Sequence, residues 1–475
     1  MQRTRRPLMD PGRVFSGALA FLVLALAGCS FDDPLAFLDI EIPERARDLG
    51  PPQRIFAKRF VTPIRSAPSS EGARLGYLRA GALLHSTTTE PVGYEGCEEG
   101  WYELDTGGFA CRARDIIVFS GERLPELRAR QADRDAPMPY EYVTVRRKTP
   151  LYKRIPKADE VYLIPPEAPE PVVETASPEE PAAPDPEQNI TNPLVLRILR
   201  PGFYVSLDRR FERDGETYWR TQQNGFVPAE NLRRKEWSQF RGQVLGTGAW
   251  ELPVAVTRRE QTTAYRLNDR GKLKAIREGI ESRSWLPVRS RRRIDGSVYL
   301  QLGNGRLVRE AEVTVIEPRT PPEGVGEGQR WIDVDLSRQV LVAYDWKRPR
   351  YLTLVSTGRS RTPTPEQSYL TPKGLHRIRG KHLTSTMDND EPGEPPYSLE
   401  DVPYVMYFKG AYAFHSAFWH DRFGRPRSHG CINLAPHDAK WLYNWAGPDL
   451  PDVWHGGMAT EENPGTWVYV HGETP

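Results

Sequence analysis

Ser428-His429-Gly430-Cys431-Ile432-Asn433 places a cysteine directly behind a glycine and a histidine, and the pair His415-Ser416 begins sixteen residues before that cysteine. A thiol becomes a useful acyl-transfer nucleophile only as its thiolate, which requires a nearby base and an electropositive backbone pocket. Glycine immediately before the nucleophile permits a tight turn that can aim backbone N–H groups at a developing oxyanion. Free cysteines are otherwise commonly small buried hydrophobes. Cys431 instead sits between a glycine and a polar, aromatic-rich stretch, and eight of the nine histidines lie between His376 and His471. A zinc hydrolase built from His376, His382, His415, His429 or Cys431 is a competing chemistry, but neither H-E-x-x-H nor paired C-x-x-C spacing is present. No metal or organic cofactor is expected.

The elements that would position these residues begin near Gln329. Trp331 to Leu336 alternates apolar and polar residues, Gln339 to Tyr344 continues as a second strand, and Tyr351 to Ser356 forms a third that closes at Gly358. Thr371-Pro372-Lys373-Gly374 is a turn before a strand at Leu375 to Ile378, and one helix is expected from about Pro436 to Trp445.

The Ser-His-Gly-Cys string with its upstream histidine, together with the order Val-Asp-Leu strand, Gln-x-Leu strand, Gly358 and Thr-Pro-x-Gly, resembles the L,D-transpeptidase catalytic-domain family over about 140 residues. The resemblance implies a β-sandwich with few helices at 328–472, in a chain that is mainly β. It implies that Cys431 attacks the carbonyl between the third and fourth residues of a peptidoglycan stem, and that His415 is the base. Ser416 would orient the imidazole through its backbone. Ser428, His429 and Gly430 would form the turn, with the Gly430 and Cys431 amides at an oxyanion hole, and His429 would help to position substrate or nucleophile. Asn433 would pin the loop. Tyr404, Met406 and Tyr407 would line the substrate groove, the alternative being a packed core strand. Met387 to Ser398, with Asp388, Asp390, Glu391 and Glu394, is an acidic insertion, either a lid whose carboxylates meet an ammonium group or a solvated loop.

The rest of the chain sets the surroundings. Its 475 residues suggest about three domains, and a net charge of +2 with 27% charged residues gives no argument for a nucleic-acid partner. Arg3, Arg5 and Arg6 precede an uncharged run from Val14 to Ala27, too short to span a bilayer and of the right length for a secretory signal core. It ends in Leu26-Ala27-Gly28-Cys29, which looks like a bacterial lipobox, so residues 1–29 are expected to be a lipoprotein signal with Cys29 lipidated. An ordinary signal peptide or a short anchor is the alternative. Ser30 points to the outer membrane, and residues 30–54 would tether the protein on the periplasmic side. That compartment is oxidising and favours a disulfide between Cys97 and Cys111, leaving Cys431 free.

Residues 55–120 read as a small all-β unit. Trp101 to Phe109 aligns without gaps with Tyr218 to Phe226, and Tyr299 to Arg306 is a weaker third copy. Each reads as an aromatic strand, a Gly-containing turn and a return strand. The copies resemble the terminal hairpin of bacterial SH3-like barrels, with the second and a possible third module at 191–318 and a Pro-rich linker region at 121–190. Such modules bind the wall or act as spacers. The basic stretch Arg289 to Arg293 is a solvated loop or a contact for an anionic polymer. The resemblance thus implies a periplasmic lipoprotein whose Cys431 thioester passes a tetrapeptide stem to an amine, which could belong to another stem or to a wall-anchored protein. The other readings are an L,D-carboxypeptidase or endopeptidase that hydrolyses the same thioester, and a wall-binding protein.

Overall fold

The computed structural model describes residues 53–119, 130–164, 192–360, 369–389 and 396–475. The expected signal segment with Cys29, most of the tether, the Pro-rich run 165–186, and Asp390, Glu391 and Glu394 lie outside the described residues.

From residue 330 onward two sheets form a sandwich. The first contains β1 (Arg330–Asp335), β2 (Val340–Asp345) and β3 (Arg348–Leu354) as an antiparallel meander. The second contains β5 (Gly380–Asn389), β6 (Tyr397–Lys409), β7 (Tyr412–Ser416), β8 (Ile432–Leu434) and β9 (Gly456–Met458). The last strand, β10 (Trp467–His471), returns to the first sheet, parallel to β1, and is flanked by β4 (Gly374–Arg377). Helix α1 (Pro436–Trp445) follows β8. Proline in its first turn has the φ a helix needs, Asp438 complements the N-terminal dipole, and Ala439, Leu442 and Tyr443 form the buried face. Asp438 accepts hydrogen bonds from Tyr351 Oη and Gly242 N, both at 2.7 Å, which docks the helix on β3.

Apolar side chains of both sheets and α1 fill the core, among them Ile332, Leu341, Met406, Phe414, Ile432 and Leu442. The expected alternation of Trp331 to Leu336 is not a buried–exposed one, because Trp331 through Asp335 are all buried. The outer face of this sheet is covered by residues 254–316, so Trp331, Val340, Val342 and Tyr344 enter a second core with Val254, Val256 and Ile316. Asp333, on that strand, is bonded to His471 Nε2 at 2.9 Å and paired with Arg319.

Three small β modules precede the sandwich, and the three repeated hairpins are present at 101–111, 216–228 and 297–309. The second module starts earlier than the linker boundary at 190 suggested. Strands Glu141–Val145 and Thr149–Tyr152 pair with Tyr204–Arg213 and Val195–Leu199, so much of the expected linker belongs to this module. Residues 141–152 mix charged and apolar residues without a strong period, which conceals them. In the first module Cys97 and Cys111 form a disulfide with Cα atoms 5.8 Å apart.

Two modules extend the second sheet of the sandwich. Tyr204 pairs parallel with Leu399 of β6, and Gly76 and Tyr77 pair with Gly457 and Gly456 of β9. The latter junction requires glycine: a Cβ on Gly76 would lie 2.4 Å from Gly456 O. A loop of this length closed by a disulfide contributes about 3 kcal/mol. Cys97→Ser should therefore lower unfolding stability by about that amount in denaturant titration while leaving the Cys431 thiol titratable.

Candidate active site

Strands β7 and β8 run parallel with His415 opposite Asn433, so the crossover between them returns Cys431 to the strand neighbouring His415. The returning loop is zipped to the end of β3. Arg427 N and Ser428 N donate to Thr357 O at 2.8 and 3.0 Å, and Ser356 and Asn433 exchange backbone hydrogen bonds of 3.0 and 2.9 Å. Gln339 fixes that segment, donating to Thr357 Oγ1 at 2.6 Å and accepting from Thr357 N at 2.9 Å. Thr371 Oγ1 accepts from Gly358 N at 3.0 Å and donates to Gly430 O at 2.8 Å.

Within the turn, Ser428 Oγ accepts from Gly430 N at 3.0 Å and donates to Cys431 O at 2.5 Å. Gly430 has φ of 118°, and a Cβ there would sit 2.3 Å from the Tyr412 ring. The Gly430 N–H is spent on Ser428. One of the two amides expected at an oxyanion hole is therefore already committed within the turn.

His415 is 3% exposed, with Nδ1 3.0 Å from Ser416 O and Trp419 stacked on it at 5.7 Å. The carbonyl can only accept, so Nδ1 carries the proton and Nε2 keeps its lone pair. Burial pushes the pKa of His415 down to about 4. Cys431 is the free cysteine of the described residues and is half-buried. Burial pushes its thiol above the usual value of 9.0, against the pull of a hydrogen bond from the Ala413 backbone. Burial thus favours the neutral form of both the thiol and the imidazole that line the groove.

Cys431 and His415 open into a groove of about 870 Å³, which Ser428, His429 and Asn433 also line. Arg359 Nη2 lies 2.8 Å from His429 Nε2, and its guanidinium covers the Tyr369 ring at 4.7 Å. Arg427 adds a second guanidinium, whereas Asp388 is the one carboxylate among the described lining residues. Aromatic rings of Tyr204, Tyr369, Tyr397, Tyr407, Tyr412 and Trp419 form much of the wall.

Asn433 is 3% exposed and faces His420 Nε2 at 3.2 Å. His420 Nδ1 accepts from Arg422 N at 3.2 Å, so Nε2 carries the ring proton and the amide meets it best with its oxygen. The far end of the amide has no hydrogen-bond partner among the described residues, and it belongs to a residue of the groove wall.

Tyr404 and Met406 are not groove residues. Both are fully buried in the sandwich core, and Tyr404 Oη donates to Ala136 O. Along β6 Tyr404, Met406 and Phe408 alternate into the core while Tyr407, on the opposite face, reaches the groove. Ser416 and Gly430 lie beneath the groove surface, and Ser416 acts only through its carbonyl. Sequence reasoning passed over Trp419, His420, Arg359 and Arg427, all within a few residues of motif glycines or histidines. It had no local signal for Tyr204. Among the described residues no three His, Cys, Asp or Glu side chains are grouped to hold a metal ion.

Residues 329–470 match the family model of the L,D-transpeptidase catalytic domain, and this segment is such a domain. Similar solved structures include an L,D-transpeptidase from Stackebrandtia nassauensis at 25% identity, covering 32% of this chain and 58% of that one with a TM-score of 0.23. A mutant Enterococcus faecium L,D-transpeptidase is 22% identical, with 33% and 55% covered and a TM-score of 0.24. For an L,D-transpeptidase from Mycobacterium smegmatis the values are 17% identity, 54% and 91% coverage and 0.24. The chain thus spans little more than half the length of the first two. No curated protein matches.

A neutral thiol–imidazole pair has a pH signature. Iodoacetamide alkylation of Cys431, followed by intact mass, should rise roughly tenfold per pH unit from pH 6 to pH 9, because it follows the thiolate fraction. A rate that is flat across this range would mean a preformed thiolate–imidazolium pair instead.

Proposed function

We propose that this chain is a cell-envelope transpeptidase that transfers a peptidoglycan stem from Cys431 to an amine. The observation that carries the reading is the pairing, in one groove, of the free cysteine with an imidazole whose Nδ1 is held by Ser416 O. Nε2 of His415 takes the thiol proton as sulfur adds to the carbonyl before the terminal D-residue, and the Cys431 N–H receives the developing oxyanion. Collapse breaks the peptide bond. His415 returns the proton to the departing amine, leaving a thioester on Cys431. An acceptor amine then loses a proton to His415, attacks the thioester and releases the thiol.

Arg359 and Arg427 supply charge complementary to stem carboxylates. In this reading the upstream modules are SH3-like, and two of them are built into the catalytic sheet rather than carried beside it. The protein is held to the envelope, on its periplasmic side, through lipidated Cys29. The acceptor is a second stem or a wall-anchored protein.

The deciding experiment is intact mass spectrometry with a carbapenem and then with disaccharide-tetrapeptide. A covalent adduct on Cys431 with a dimeric muropeptide product is expected, and His415→Ala should slow acylation by about 10²–10⁴-fold. Tripeptide as the sole product would make water the acceptor and the enzyme a hydrolase. No adduct on folded protein would remove the nucleophile assignment. For the anchor, metabolic labelling with an alkyne fatty acid should mark the wild-type chain and leave Cys29→Ser unlabelled.

A further inference from the structure

One wall of the groove comes from outside the catalytic domain. Gly202 and Tyr204, both in the second module, line the same groove as Cys431. Tyr204 packs in one apolar cluster with Leu399, Tyr407, Trp419 and Cys431, its ring edge-on to Phe418 at 5.4 Å.

The placement of this wall is fixed by backbone and by buried charge. Tyr204 pairs in register with Leu399 on β6. The next two residues of β6, Glu400 and Asp401, have no exposed surface. Arg197 of the second module donates to Glu400 Oε1 at 2.9 Å, and Ser206 Oγ donates to Asp401 Oδ2 at 2.6 Å. Gln223, also in that module, donates to Thr386 Oγ1 on β5 at 2.8 Å. A side chain held this way meets a ligand without first losing conformational freedom.

We propose that Tyr204 is a specificity-determining residue of the transferase, a rigid aromatic face against which an extended peptide donor lies. The proposal rests on the transpeptidase reading above. Small acylating or alkylating agents reach the sulfur without spanning the groove and do not use this face. The second module is therefore part of the donor site, and the catalytic domain alone carries an incomplete one.

The test measures second-order modification of Cys431 in the detergent-solubilised full chain by intact mass, once with disaccharide-tetrapeptide and once with iodoacetamide. Tyr204→Ala should lower the peptide rate about tenfold and leave the iodoacetamide rate within about twofold. Tyr204→Phe keeps the ring and should behave as wild type. Tyr204→Leu preserves apolar bulk against Phe418 and should show the same split as alanine even where alanine does not fold. A peptide rate unchanged in Tyr204→Leu overturns the proposal and leaves the transferase standing. Equal loss of both rates in Tyr204→Leu makes Tyr204 merely structural and also overturns it. Wild-type protein that reacts with iodoacetamide and never with the peptide removes the transpeptidase reading and this proposal together.

Discussion

Two adjacent carboxylates, Glu400 and Asp401, are wholly buried in the middle of β6, and each is met by an arginine from a different upstream module. Burying a carboxylate is costly unless it is paired and its remaining lone pairs are filled. Arg79 of the first module holds Asp401, with Thr384 Oγ1 donating to the same oxygen at 2.8 Å, and Tyr142 of the second module binds the Asp401 carbonyl. Burial raises Glu400 to about 8 against the pull of Arg197. Removing either module would leave a buried carboxylate without its arginine. The strand that carries the groove wall is therefore tied to both modules through buried charge.

Cys431 and His415 sit in the opposite electrostatic situation. Among the described residues no carboxylate is bonded to His415; its ring is held by a neutral carbonyl, and Trp419 covers its face. Low polarity therefore favours the uncharged imidazole and the uncharged thiol alike. In the proposed transfer, charge would therefore be created only at the moment of reaction rather than stored in the resting site.

The motif, the helix at 436–445 and the three hairpins were legible because each is local: a glycine turn, a proline start with an apolar face, an aromatic strand beside a Gly turn. What stayed hidden was set by distant partners. Trp331 to Asp335 read as alternating but is buried on both faces, because residues 254–316 cover a side that an isolated sandwich would leave wet. Tyr404, Met406 and Tyr407 were read together as groove residues, but alternation along β6 sends the first two into the core and only Tyr407 to the groove, because the sandwich buries that face. Tyr204 could not be found at all, since its place in the groove comes from one strand pairing across almost two hundred positions of sequence.

The Pro-rich run between residues 165 and 186 was read as a linker separating domains, yet it leaves and re-enters the same module. Tyr152 and Val195, on either side of it, are direct partners in one ladder. The described strands that flank it are therefore held one strand spacing apart, whatever the length of chain between them. Lengthening a closed loop costs only about 0.6 kcal/mol per doubling. Evolution can therefore extend, shorten or redecorate this segment without moving any domain relative to another. The strands on either side of it stay in one register however the run between them changes.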